Sequence, residues 1–206
     1  MTRISAIAAS VVAALGVGAV ALYVMMNRSD DVFAACRDGV IAGGGGAIGG
    51  PFTLLDQAGR TVTEKDVFTA PSLVYFGYTF CPDICPVDNA RNAQAVDILE
   101  ELGYEANPVF ITVDPARDTP EVMADYAQYM HPRMIGLTGT EEQVKAAATA
   151  YRVYYQKQPS DGEYYLMNHT TMTYLVLPGH GFVDFFRRDL TAEQVAERAA
   201  CFLDAA

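Results

Sequence analysis

Tyr75-Phe76-Gly77-Tyr78-Thr79-Phe80-Cys81-Pro82-Asp83-Ile84-Cys85-Pro86 is the stretch on which the reading of this chain turns. The apolar run from Ser72 to Phe76 reads as a short strand buried on both faces. Two cysteines follow at i and i+4, a spacing that puts side chains on one face of a first helical turn. Thiols so placed can hold one soft metal ion or close on each other as a disulfide. Both chemistries are open at this point. A helix N-terminus offers unpaired N–H groups and a partial positive charge, which favour thiolate over thiol, so Cys81 and Cys85 are the reactive pair. Pro82 and Pro86 stiffen the turn, while Asp83 opposes thiolate formation.

Outward from the cysteines, Ile84, Val87, Ala90, Ala95, Ile98, Leu99 and Leu102 recur at helical spacing until Gly103. Strands are predicted at 52–55 and 60–63, around the turn Asp56-Gln57-Ala58-Gly59, and at 108–113 and 134–137. Thr119 followed by Pro120 opens a helix through Met130, and the capping box Thr140 to Gln143 opens another ending at Ala150. Strands at 151–156 and 164–167 surround a turn at 159–162. A hairpin at 171–177 and 182–187 follows, and Thr191 caps a last helix. Strands alternating with helices predict an α/β fold with a central sheet covered on both faces.

The 206 residues, 51% of them hydrophobic, suffice for one domain plus an appendage. A net charge of −11, with no basic cluster beyond Arg187-Arg188, argues against nucleic acid as a partner. Residues 4–26 carry no charge and are flanked by Arg3 and Arg28. A helix of about 20 apolar residues spans a bilayer, and this run exceeds the apolar region of a cleavable signal. We therefore expect residues 1–27 to be a single-pass anchor in the cytoplasmic (inner) membrane, with the rest on the periplasmic side. Residues 28–47, with Cys36 and the run Gly43-Gly44-Gly45-Gly46, read as a Gly-rich linker, and 48–206 as the folded domain.

An exported location tolerates disulfides, and four cysteines allow three pairings. With Cys81 and Cys85 near each other, Cys36 is left with Cys201, a structural bridge stapling the two ends of the chain; two free thiols are the alternative.

Three motifs in order carry a family resemblance: 77–86 around the cysteines, Thr112-Val113-Asp114-Pro115-Ala116-Arg117-Asp118-Thr119-Pro120, and His169-Thr170 ahead of Tyr174-Leu175. Together they resemble the Sco/SenC family of membrane-anchored copper proteins implicated in cytochrome c oxidase assembly. The resemblance covers roughly residues 48–203. It implies a thioredoxin-like fold, a central mixed sheet flanked by helices, and copper bound by Cys81, Cys85 and His169. Residue chemistry agrees, since thiolates and imidazole suit copper, whereas structural zinc usually takes four protein ligands. His131 and His180 read as solvated. In thioredoxins a cis-proline commonly faces the active cysteines; here His169-Thr170 holds that place. Many family members carry Asp before this histidine, where this chain has Asn168. Met167 and Met172 read as packing. Asp114, Arg117 and Asp118 read as loop and cap chemistry, with a polar docking rim as the alternative. Tyr75, Phe76, Tyr78 and Phe80 read as core or pocket lining.

The resemblance implies a metallochaperone that passes copper to the binuclear copper centre of the oxidase. Its partners would be the oxidase copper-site subunit, a copper donor protein or a thioredoxin-like reductant. The alternative is a thiol–disulfide oxidoreductase acting on the cysteines of that subunit through a redox-active Cys81–Cys85 disulfide. A peroxidase is disfavoured because Tyr78 stands where peroxiredoxins carry threonine.

Overall fold

The computed structural model describes residues 31–37, 48–160 and 164–206, together with Gly18. The chain divides into two compact units, 1–34 and 35–206. The predicted anchor lies outside the described residues apart from Gly18, as does most of the Gly-rich linker. Among the described residues no helix is long and apolar enough to cross a membrane.

The second unit is built on a mixed seven-stranded sheet. Its strands are β1 (Thr53–Asp56), β2 (Thr61–Thr63), β3 (Ser72–Gly77), β4 (Asn107–Thr112), β5 (Ile135–Thr138), β8 (Thr173–Leu177) and β9 (Gly181–Phe186), in the order β2-β1-β5-β4-β3-β8-β9. Strands β3, β4 and β5 run parallel, so their connections must cross over through helices. These are α2 (Ile84–Glu101) between β3 and β4, and α3 (Pro120–Met130) between β4 and β5; a single turn, α1 (Glu64–Val67), precedes β3. Helices α4 (Glu141–Ala150) and α5 (Ala192–Ala205) complete the cover, α5 packing along α2. Every residue of β3 is buried, as its unbroken apolar run requires of a central strand.

Local chemistry sets the helix ends. Thr119 accepts from the Val122 N–H, and Thr140 and Thr191 form capping boxes with Gln143 and Gln194. Gly103, at φ +93°, turns α2 off so that the Tyr104 N–H reaches the Leu99 carbonyl at 2.9 Å.

A second, two-stranded sheet stands apart from the first. Strands β6 (Tyr155–Lys157) and β7 (Met167–His169) pair antiparallel, with Tyr155 opposite His169. The sequence places these strands at 151–156 and 164–167. Tyr151 instead caps α4, and its buried ring packs at the edges of Phe76 and Tyr174, which delays β6 to Tyr155.

Cys36 and Cys201 are joined in a disulfide with Cα atoms 5.7 Å apart, bridging 165 residues and tying the start of this unit to α5. Beside it Arg37 donates to the Val183 carbonyl at 3.2 Å, and Arg198 pairs with Asp184 at 2.8 Å.

Candidate metal centre

Strand β3 delivers the chain to a turn in which the Cys81 N–H reaches the Tyr78 carbonyl. The helix does not begin at Cys81, as the i, i+4 reading supposes, but at Ile84, and Asp83 makes no side-chain cap bond. The cap comes from sulfur: Cys81 Sγ accepts from the Cys85 N–H at 3.3 Å, so the first thiol stands at the positive end of α2 and the second lies within its first turn. Cys85 is fully buried and Cys81 is 9% exposed. Both are free thiols; the predicted 81–85 disulfide is not formed in this structure.

His169 ends β7 and comes to the same place from the far side of the chain. Its Nε2 lies 3.3 Å from Cys85 Sγ. Nδ1 lies 3.0 Å from the Thr170 carbonyl, which can only accept, so Nδ1 donates there and Nε2 is the nitrogen turned toward the thiols. The outer-shell partner is thus a backbone carbonyl. Asn168 is exposed and its Oδ1 accepts from Gln158, so the departure from Asp there leaves the imidazole held. Tyr75 and Tyr78 meet the His169 ring edge-on at 6.0 and 5.9 Å.

The thiols polarise each other. The Cys81 thiol is pulled down to about 3, foremost by the hydrogen bond from Cys85 and further by His169, against the opposing cost of burial. The same contact with Cys81, and then burial, pushes the Cys85 thiol up. The first proton therefore leaves Cys81, and Cys85 keeps its own until a cation compensates the second charge.

Among the described residues, Cys81, Cys85 and His169 form a metal-capable group whose donor atoms all lie within 4.8 Å of one another. A metal about 2.3 Å from sulfur and about 2.0 Å from nitrogen spaces trigonal donors roughly 3.8–4.0 Å apart. The present separations need adjustments of under about an ångström to meet that spacing. Cys81 and His169 face a cavity of about 280 Å³ lined also by Ile84, Tyr154 and Met167, with Cys85 behind them. A larger cleft, about 500 Å³ and lined by Asp114, Lys145 and Tyr165, holds no thiol. Met167 and Met172 pack against the core.

The Asp114–Asp118 loop buttresses the cysteine turn. Asp118, fully buried, accepts from the Thr79 N–H at 3.1 Å, from the Thr79 hydroxyl at 2.5 Å and from the Thr112 hydroxyl at 2.5 Å. Burial raises its carboxyl above the usual range, with the Thr112 and Thr79 donors pulling against it. Asp114 accepts from Arg117 at 2.5 Å and from the Tyr165 hydroxyl at 2.8 Å. Two expectations need correcting. Phe80 is 49% exposed rather than lining the core, because its ring lies out against the Arg117 guanidinium. His131 is buried rather than solvated, its Nε2 3.1 Å from Asp97 and its Nδ1 accepting from the Arg133 N–H. His180 is exposed. Sequence reasoning missed Tyr165 and the Thr170 carbonyl, neither of which carries a local signal.

A thioredoxin-like domain with two thiols at a helix mouth, faced by an imidazole from a separate hairpin, is the class that this fold and site define. By sequence the chain belongs to the SCO1/SenC family, whose pattern matches residues 42–204. Protein SenC of Rhodobacter capsulatus is 50% identical over 204 residues, covering 99% of this chain and 92% of that protein. A crystal structure of Arabidopsis thaliana ScoI with copper bound matches at TM-score 0.73 and 39% identity, covering 77% of this chain and 99% of that one. A structure of Bradyrhizobium japonicum ScoI with copper bound matches at TM-score 0.68 and 38% identity, covering 75% and 98%.

Proposed function

We propose that this chain is a copper metallochaperone that carries copper on Cys81, Cys85 and His169 and assists assembly of the binuclear copper centre of cytochrome c oxidase. The observation that carries this reading is the convergence of two thiols and an imidazole nitrogen within 4.8 Å, in a chain with copper-bound relatives. Soft thiolates favour Cu(I), and a set of three suits its low coordination number. Copper entry displaces the remaining thiol proton from Cys85. Release proceeds by ligand exchange, with the more exposed Cys81 sulfur the first to be replaced by an acceptor thiolate; copper changes hands without a change of oxidation state. The partners are the copper-site subunit of the oxidase and a copper donor.

A second reading has its own support. Cys81 is the less buried of the two thiols and has a lowered pKa beside the fully buried Cys85, which fits a thiol–disulfide oxidoreductase. Cys81 would attack a target disulfide, Cys85 would resolve the mixed disulfide, the target would leave as a dithiol, and the resulting 81–85 disulfide would need a thioredoxin-like reductant. That reaction requires no histidine. On either reading residues 1–27 anchor the chain in the cytoplasmic membrane and the thiol domain works on the periplasmic side; the uncharged run at 4–26 supports this.

His169→Ala separates the two readings. Copper delivery predicts loss of oxidase maturation while the 81–85 disulfide still forms; full rescue of oxidase activity by this variant would sink the copper reading.

A further inference from the structure

Among the described residues the hairpin that carries His169 shares no strand ladder with the main sheet. It is tied to it by the short run into β8 and by Tyr78 bonding the Met167 backbone, which leaves side-chain contacts to set how it leans on the cysteines. We infer that Arg117 is the positioning residue that clasps this hairpin to the cysteine turn and thereby sets where His169 stands. One guanidinium touches the chain segments that carry both halves of the site. On the hairpin side its Nη1 donates to the Tyr165 carbonyl at 3.0 Å, and its carbon lies 3.6 Å from the Tyr165 ring centroid. On the cysteine side it lies 4.8 Å from the Phe80 ring and 5.7 Å from that of Tyr78, the residues leading into Cys81. Its Nε is held by Asp114 at 2.5 Å, and the other oxygen of that carboxylate takes the Tyr165 hydroxyl at 2.8 Å.

Tyr165 is therefore gripped at its carbonyl, its ring and its hydroxyl, four residues ahead of His169. Lys157 Nζ, from the facing strand, lies 3.6 Å from the same ring centroid. A planar fork with several donors can serve Asp114, a carbonyl and aromatic faces at once; an ammonium of the same charge cannot. The cysteine turn is also held by Asp118 through Thr79, whereas the hairpin is bonded to the Asp114–Asp118 loop through Tyr165, the residue that Arg117 grips, so the effect of Arg117 is assigned to the placement of His169. The inference rests on the copper reading for its consequence but not for its mechanism.

Two measurements on the full chain test it. The first uses the reduced, metal-free protein and follows amide hydrogen exchange. Arg117→Ala should raise exchange in residues 155–158 and 166–169 by about tenfold while β3, β4 and α2 keep their protection. Unchanged hairpin exchange overturns the inference whatever the protein binds. The second measures Cu(I) affinity by competition with a chelator in the parent, Arg117→Ala, His169→Ala and the double variant. Arg117→Ala should cost about tenfold, a loss typical of groups that orient a metal ligand, and nothing further once His169 is gone. An equal loss in both backgrounds shows that Arg117 acts on the cysteine half or on folding, and overturns the proposal. Loosened hairpin exchange with parent and His169→Ala binding equally would leave the clasp standing and fail the copper reading instead. If Arg117→Ala does not fold, Arg117→Lys and Tyr165→Phe carry the same comparisons. Each should show the same loss of hairpin protection at smaller amplitude, and parent-like exchange in both overturns the proposal.

Discussion

Gly77→Ala is a sharp test of the packing beneath the site. Gly77 ends β3, paired with Thr112, directly under the cysteine turn. A Cβ added there would lie 2.8 Å from Cys85 Sγ, 2.9 Å from Phe110 Cε2 and 3.1 Å from Tyr75 Cε1. Ordinary carbon contacts fall at about 3.5–4.0 Å, so the neighbours would have to retreat by roughly 0.5–1 Å. They have little room. Phe110 is fully buried, stacked on Tyr126 at 4.7 Å and on Tyr75 at 6.5 Å, and Cys85 is locked in the first turn of α2. Overpacking of this kind costs about 1–3 kcal/mol. Replacing glycine within a strand returns about 0.5–1 kcal/mol of backbone entropy. The net expectation is a loss of about 0–2.5 kcal/mol, centred near about 1 kcal/mol and read as a lower urea midpoint at unchanged m-value. Cu(I) affinity should fall with it, because the displaced atom is a ligand sulfur. A variant as stable as the parent, with the same affinity, would refute the argument that Gly77 is there to make room for that sulfur.

Further predictions concern other layers. Replacing both Cys36 and Cys201 by serine should lower stability, by at most about 5 kcal/mol for so long a loop, while Cu(I) affinity stays within twofold; urea midpoints and chelator competition report the two. Asp118→Ala removes the acceptor of the Thr79 N–H and of two hydroxyls, and should cost about 2–4 kcal/mol by urea denaturation. The Asp56 carboxyl is lowered: burial raises it, but the Arg60 and Ala58 N–H groups and the Arg60 guanidinium outweigh that. Its contribution is full above the unfolded value near 3.8 and is lost as pH falls through the lower folded value. Asp56→Asn should therefore be less stable than the parent at pH 7 by under about 1 kcal/mol, since the Arg60 side chain is 77% exposed, and the gap should close below about pH 4. N-terminal sequencing of the mature protein should find the chain start intact; a start near Ala35 would contradict the retained anchor.

Helix starts were legible because cap chemistry is local: Thr119-Pro120, Thr140 to Gln143 and Thr191 to Gln194 each carry donor and acceptor within four residues. The buried β3 was legible from its unbroken apolar run. The start of α2 was not, because a cysteine sulfur does the capping, while Asp83, at the N-cap position, makes no side-chain cap bond. His131 misled for a different reason, since its partner Asp97 lies 34 residues away on another helix. At the metal site, residue types and the three motifs pointed to Cys81, Cys85 and His169. Nothing in local sequence showed that His169 rides a detached hairpin, or that Arg117, legible as an i, i+3 partner of Asp114, stacks on Tyr165, Phe80 and Tyr78. Those contacts join segments that meet only in the folded chain.

The most direct test of the central claim is X-ray absorption on the full chain, reduced and loaded with one equivalent of Cu(I). Retention of one copper per chain with two sulfur ligands and one nitrogen ligand is the predicted result, with the nitrogen contribution gone in His169→Ala. Failure to retain copper after desalting, or an identical spectrum from His169→Ala, would contradict it.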